Sequence, residues 1–269
     1  MRSITELADL TGRCALVSGG AGHIGLAVAE TLIELGGRVA IVDLDSTACR
    51  ERVQMLERGR GGAAVAVAVP CDLSDERATR SAVHEAVRTL VGLDIFVHCA
   101  AWVASRRDDG WAVPFKHQTV SAWDAALRVN LTSAFVLAQV ARAALERSGR
   151  GSVILFSSIY GIVGPDFRLY TGTTMANPEA YGASKGGLIQ LMRYLATELA
   201  PATRVNAITP GGVWRDQPET FVARYEARTP LGRMACEEDL KGAVAFLATD
   251  LSAYVTGHNL VVDGGWTVW

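Results

Sequence analysis

Uninterrupted runs of small and β-branched apolar residues recur along the chain, at 13–18, 38–43, 64–69, 93–98, 152–157, 203–208 and 258–262. The first six are each followed by a longer stretch with apolar positions at helical spacing, at 23–36, 46–58, 75–91, 120–147, 179–200 and 237–249. A run without polar alternation fits a strand covered on both faces. Alternation of such strands with helices predicts a parallel sheet joined by right-handed crossovers, which is an α/β, doubly wound Rossmann arrangement of about seven strands. The first helix should stop at Gly36-Gly37, where glycine accepts a left-handed backbone. No Pro-, Ser- or charge-rich linker and no sequence repeat interrupts the alternation, so residues 1–269 read as one domain.

Composition narrows the function classes. With 269 residues, 49% hydrophobic and 20% charged, the chain can bury a large core. Its 26 basic and 28 acidic residues are scattered and leave a formal charge of −2, which argues against nucleic acid as a partner. Glu6 and Asp9 break up the first 13 residues, which do not read as a signal peptide, and no apolar stretch approaches a membrane span. The five cysteines are widely spaced and form no Cys-x-x-Cys or Cys/His cluster. Reduced thiols in a cytoplasmic protein without a metal site are therefore expected.

The first strand runs into Ser18-Gly19-Gly20-Ala21-Gly22-His23-Ile24-Gly25, and helical periodicity begins there. Glycines in such a turn let the backbone approach a pyrophosphate, which the amides of the helix N-terminus can meet. Glycine-rich turns also occur without a ligand, so the motif gains weight from Asp43, which ends the second strand. A carboxylate there can accept from both adenosine ribose hydroxyls and repels a 2′-phosphate, favouring NAD over NADP. Asp72, followed by Leu73 after the third strand, could cap the next helix, meet the adenine amino group, or both.

Tyr181 and Lys185 open a long helical stretch four residues apart, and therefore on one face. A free phenol has a pKa of roughly 10, and a nearby ammonium ion lowers it by stabilising phenolate. Taken alone, the pair is an ordinary helix surface. The chain also carries Ser158 at the end of the fifth strand, Asn130 inside the preceding helix, Pro210-Gly211 after the sixth strand and Val262-Asp263-Gly264-Gly265 near its end. In that order, and over essentially the whole length, the chain resembles the classical branch of the short-chain dehydrogenase/reductase family.

The resemblance implies a catalytic tetrad of Asn130, Ser158, Tyr181 and Lys185. Tyr181 would be the acid/base for the alcohol or ketone oxygen, and Ser158 would hydrogen-bond that oxygen. Lys185 would bind the nicotinamide ribose and lower the Tyr181 pKa, and Asn130 would anchor a proton-relay water. Cys99, Ala100 and Ala101 would lie beside the cofactor, and Pro210, Gly211 and Val213 would cover the nicotinamide. The family often forms dimers or tetramers through its long central helices.

Departures from the family pattern locate what is particular to this chain. His23 stands where the pattern has glycine and either shields the pyrophosphate or starts a surface helix; His98 replaces an asparagine and reads as structural. A threonine usual after the Pro-Gly segment is absent, with Arg215 in its neighbourhood. The connection from Ser158 to Tyr181 is longer than usual, so residues 159–180 form an insertion that must loop out near the pocket mouth. Its polar content, with Arg106 and Arg107, points to a polyhydroxylated or anionic substrate, for which Arg106, Arg168, Tyr170 and Trp214 are candidate contacts. Residues 157–269 further resemble dehydrogenases of amino-sugar pathways for bacterial surface glycans. Two other activities are open: an epimerase or dehydratase that retains NAD, and an inactive nucleotide-sensing homologue.

Overall fold

The computed structural model describes residues 1–102 and 110–269. In chain order the elements are α1 (Ile4–Ala8), β1 (Cys14–Ser18), α2 (His23–Glu34), β2 (Arg38–Asp43), α3 (Ser46–Arg58), β3 (Ala66–Pro70), α4 (Glu76–Leu90), β4 (Ile95–His98), α5 (Val120–Leu127), α6 (Ser133–Ser148), β5 (Gly151–Phe156), α7 (Glu179–Glu198), β6 (Thr203–Pro210), α8 (Glu219–Glu226), α9 (Glu238–Ala248) and β7 (Asn259–Val262). The seven strands form one parallel sheet in the order β3-β2-β1-β4-β5-β6-β7. The chain winds outward from β1 to β3 and then crosses back to β4. The crevice between the carboxyl ends of β1 and β4 is therefore the topological switch point, where doubly wound sheets bind ligands.

Apolar runs dominate the central strands because both faces of the sheet are covered. Leu16 and Phe96 project into a layer formed by α4, α6 and α7. Their neighbours Ala15, Val17, Ile95 and Val97 alternate to the other face, beneath α2, α3 and α9. Helix α2 ends where glycine permits it, with Gly36 at φ 97°.

Three sequence expectations need correction. Residues 120–147 do not form one helix: α5 and α6 are separated by a π-helical turn over Arg128–Thr132, and Asn130 is buried inside it. Helical periodicity alone does not reveal a turn widened by one residue. Asp72 does not cap α4. Its carboxylate accepts from the Ser74 amide at 2.8 Å, and the cap is Asp75, which accepts from the Ala78 amide at 3.0 Å. Two short helices were also unanticipated. α1 is closed by a Ser3/Glu6 capping box, and α8 buries Phe221 and Tyr225, four residues apart.

Candidate active site

The glycine turn after β1 is shaped by close approach. Gly19 has φ 71°, and a Cβ there would lie 2.6 Å from the Ala100 amide nitrogen. A Cβ on Gly25 would overlap the Gly19 carbonyl, so α2 can start against the turn only with glycine at both positions. Gly22 caps α2 without a side-chain hydrogen bond, leaving the first-turn amides free of a side-chain acceptor. Asp43 accepts from the amides of Ala21 at 3.0 Å and Leu44 at 2.8 Å, which fixes its carboxylate beside the turn.

A groove of about 660 Å3 runs from Asp43 and Asp72 past the α2 N-terminus to Ala101 and Arg215. Gly19, Gly22, His23, Ile24, Gly25, Leu73, Cys99 and Ala100 also line it. Its walls combine the Asp43 and Asp72 carboxylates at one end, helix amides free of side-chain acceptors in the middle, and the small Ala100 and Ala101 toward the other end. This donor set fits an elongated dinucleotide. Ser18 is not part of this wall: it is buried, and its hydroxyl faces His98 Nδ1 at 2.8 Å. The other ring nitrogen of His98 faces the Asn130 carbonyl at 3.1 Å, and burial holds the imidazole pKa down to about 3. His98 is thus a neutral strut joining β1, β4 and the π turn.

A second cavity, of about 540 Å3, adjoins the groove and shares Ile24, Cys99, Ala101 and Arg215 with it. Ser158, Tyr181 and Lys185 line this cavity, together with Pro210, Gly211 and Val213. Ser158 ends the extended segment after β5 and receives the Tyr160 amide at 3.2 Å. It hydrogen-bonds the Tyr181 phenol, an interaction that favours phenolate, whereas burial acts more strongly and raises the phenol pKa. The Lys185 ammonium lies 5.7 Å from the centroid of the Tyr181 ring and donates to the Phe156 carbonyl at 2.8 Å. Burial brings its pKa down to about 8.

Asn130 reaches this constellation indirectly. Its amide group donates to Ser184 at 3.0 Å, its side-chain oxygen accepts from the Trp102 amide at 2.6 Å, and Ser184 donates to the Tyr181 carbonyl at 2.8 Å. His98 also takes up one lone pair of the Asn130 backbone carbonyl. The same packing brings the segment after Ser158 against α7: a Cβ on Gly161 would lie 2.7 Å from the Ser157 hydroxyl oxygen and 2.8 Å from the Lys185 carbonyl carbon.

The 159–180 segment turns apolar side chains inward. Tyr170, Met175 and Asn177 line the cavity with Tyr160, Phe221 and Tyr225, and the Tyr160 and Tyr170 hydroxyls meet at 2.7 Å. Arg168 points away: its side chain is 84% exposed and forms an ion pair with Asp166, which also pairs with Arg228. Trp214 lies on a separate shallow depression with Asp216 and Glu219. Arg106 lies outside the described residues. Sequence reading missed Tyr160, Phe221, Tyr225 and Trp111 in the cavity wall. The available signal was the spacing of Phe221 and Tyr225 after Pro218, which marks a short amphipathic helix. Tyr225 also accepts the Gly212 amide, and so ties α8 to the Pro210-Gly211 segment.

Among the described residues no helix is long and apolar enough to cross a membrane, and no three metal-ligating side chains cluster. Cys14, Cys49 and Cys71 are buried, and all five cysteines are free.

Residues 19–267 match the family model described as Enoyl-(Acyl carrier protein) reductase. The chain is 34% identical over 268 residues to a probable galactose dehydrogenase of Rhizobium meliloti, covering 97% of each chain. Among solved structures it is similar to a short chain dehydrogenase from Leptospira borgpetersenii with bound NAD+, at 29% identity and TM-score 0.82 over 99% of this chain and 96% of that one. It is also similar to an NADPH-dependent 3-quinuclidinone reductase from Rhodotorula rubra, at 25% identity and TM-score 0.84 over 100% and 96%. Sequence, topology and these matches agree that the chain belongs to the short-chain dehydrogenase/reductase family and is an oxidoreductase acting on CH–OH groups.

Proposed function

We propose that this protein interconverts a secondary alcohol and a ketone on a small, neutral, polyhydroxylated ring, with NAD in preference to NADP. The observation that carries this reading is the meeting of Tyr181, Ser158 and Lys185 in a cavity that opens onto the groove ending at Asp43. The nicotinamide dinucleotide supplies the hydride acceptor or donor. Asp43, Gly19 and the first-turn amides of α2 would hold its adenosine and pyrophosphate ends, and Pro210, Gly211 and Val213 would cover the reactive end. Both NAD- and NADPH-linked proteins resemble the chain, so the preference rests on Asp43, whose negative charge opposes a 2′-phosphate.

Tyr181 takes the hydroxyl proton in oxidation and returns it in reduction, and Ser158 hydrogen-bonds the same oxygen. In the free protein, burial works against phenolate. The Lys185 ammonium supplies the favourable charge, and Ser158 the favourable hydrogen bond. Asn130 acts as a positioning residue that ties the π turn to the start of α7.

A neutral ring fits the cavity better than an anion. Aromatic faces of Trp111, Tyr160, Phe221 and Tyr225 suit the apolar faces of a sugar or cyclic polyol. In the Tyr160/Tyr170 pair one hydroxyl proton is used between the two oxygens, so one donor is left for a second substrate oxygen. Galactose, for which the probable galactose dehydrogenase of Rhizobium meliloti is named, is of this chemical class. The narrower likeness to amino-sugar dehydrogenases remains within it. A dimer or tetramer is proposed through α5, α6 and α7, where Trp123, Phe135 and Tyr194 stand exposed.

Nicotinamide absorbance with NAD and NADP over neutral sugars, sugar phosphates, cyclic alcohols and hydroxy acids tests the reading. Neutral cyclic substrates should turn over with NAD, and Asp43→Ala should narrow the gap to NADP. Turnover of sugar phosphates alone would overturn the substrate class, and equal native use of NADP would overturn the role of Asp43. Substrate conversion without net change in cofactor would favour the epimerase alternative.

A further inference from the structure

Resting on the reading of the groove as a nicotinamide dinucleotide site, we propose that Arg215 is the cationic partner of the dinucleotide pyrophosphate. Glu237 holds the guanidinium in readiness and gives it up when the dinucleotide binds. Among the described residues, Arg215 is the one arginine or lysine lining the dinucleotide groove, whose other charged walls include Asp43 and Asp72. The α2 N-terminus offers a pyrophosphate only about half a positive charge. A ligand with two negative charges therefore meets a net acidic groove unless Arg215 faces it.

The position of Arg215 suits that task. It lines both the groove and the catalytic cavity, as does Ile24 in the first turn of α2. The pyrophosphate is the part of a dinucleotide that passes between the adenosine and nicotinamide halves, and so crosses this junction. A guanidinium fork can engage two phosphate oxygens at once, which a threonine hydroxyl at this rim could not do.

The loop bearing Arg215 is held firmly. Its backbone amide donates to Gln217 Oε1 at 2.6 Å, Gln217 Nε2 donates to the Val213 carbonyl at 3.0 Å, and Asp216 takes the left-handed conformation at φ 55°. The guanidinium is pinned as well: Nη1 donates to the Trp214 carbonyl at 2.7 Å and forms an ion pair with Glu237 Oε1, also at 2.7 Å. Both side chains are about two-thirds to three-quarters covered, at 27% and 33% exposure. The same Glu237 oxygen lies 3.7 Å from His23 Nδ1, on the α2 side of the groove. A carboxylate therefore stands in the free protein where it competes with phosphate for the guanidinium, and on exchange it keeps His23 as a neighbour.

Direct binding separates this role from catalysis. Calorimetric titrations of NADH, ADP-ribose and adenosine would be run on wild type, Arg215→Met, Arg215→Lys and Glu237→Gln. Arg215→Met should weaken NADH and ADP-ribose roughly 10- to 100-fold and leave adenosine unchanged, as expected for losing a hydrogen-bonded charge partner. Arg215→Lys should recover part of the loss. Glu237→Gln should tighten NADH and ADP-ribose, because no carboxylate need be displaced. Unchanged NADH affinity in Arg215→Met would overturn the assignment, as would an equal loss of adenosine. Weaker binding in Glu237→Gln would overturn the holding role of the carboxylate. Wild-type protein that bound neither NADH nor ADP-ribose would instead overturn the dinucleotide reading, and this inference with it.

Discussion

His98 places a titratable ring in full burial with a hydroxyl on one nitrogen and a carbonyl on the other. The carbonyl can only accept, so Nε2 carries the proton and Nδ1 accepts from Ser18. The folded-state pKa of about 3 lies below the unfolded value of roughly 6.5, so the native state refuses a proton that the unfolded state takes up. Stability from this neutral strut is complete above pH ~6.5 and declines as pH falls toward about 3. His98→Asn should therefore lose less melting temperature than wild type between pH 7 and pH 5, measured by circular dichroism. An equal loss in both proteins would show that another group governs acid sensitivity. Lys185 acts with the same sign in a higher pH window, since its pKa of about 8 lies below that of a free lysine. The unfolded state retains the proton to higher pH, so in cofactor-free protein the contribution of Lys185 to stability should grow from pH ~8 to ~10. That gain should vanish in Lys185→Met. At this scale, the spacing of Tyr181 and Lys185 and the turn-ending Asp43 could be read from the chain. The Tyr160/Tyr170 contact could not, because two tyrosines in a loop have no fixed spacing that brings their hydroxyls together.

Between elements, the decisive feature is the link from α8 to the strand end that faces the catalytic cavity. Tyr225 receives the Gly212 amide, and a Cβ on Gly212 would sit 2.8 Å from the tyrosine ring. Tyr225→Phe leaves that amide without its acceptor and should cost about 1–3 kcal/mol by urea denaturation. It should also loosen the segment from Pro210 to Val213, which hydrogen exchange would detect. A change below about 0.5 kcal/mol, as for an ordinary surface site, would contradict the role given to this contact. The glycine turn is more demanding. Gly19→Ala combines a positive φ with a 2.6 Å approach to the Ala100 amide, and should abolish measurable NADH binding in calorimetry even if the protein still folds. The strands were legible because two-sided burial imposes unbroken apolar runs. The π turn at Asn130 was not: apolar spacing on either side of it still reads as helix, and the cause of the break is a buried polar network with Trp102, Ser184 and His98. α8 escaped notice because it is only eight residues long and buries only Phe221 and Tyr225.

At the scale of the molecule, the strand order sets two cavities end to end at the switch point between β1 and β4. The groove holds the Asp43 and Asp72 carboxylates, Arg215 and the first-turn amides of α2, and the adjoining cavity holds aromatic rings and the Ser158, Tyr181 and Lys185 side chains. The segment 159–180 lines this second cavity, its Asp166 pairs with Arg168 and with Arg228 beyond α8, and Arg224 of α8 donates to the Leu169 carbonyl. Polar composition therefore gave a misleading view of what the insertion presents to a substrate. Exposed Trp123, Phe135 and Tyr194 lie on the helices proposed as the subunit contact. Sedimentation velocity should accordingly find a dimer or tetramer at micromolar concentration, whereas a monomer throughout would contradict that arrangement. The central claim is that the two cavities act together, with the phenol of Tyr181 as the acid/base for a substrate oxygen beside an independently bound dinucleotide. The most direct measurement compares wild type and Tyr181→Phe for NADH affinity and for NAD-linked oxidation of a neutral sugar. The account predicts unchanged NADH affinity with turnover reduced roughly 10²- to 10⁴-fold; turnover close to wild type in Tyr181→Phe would contradict it.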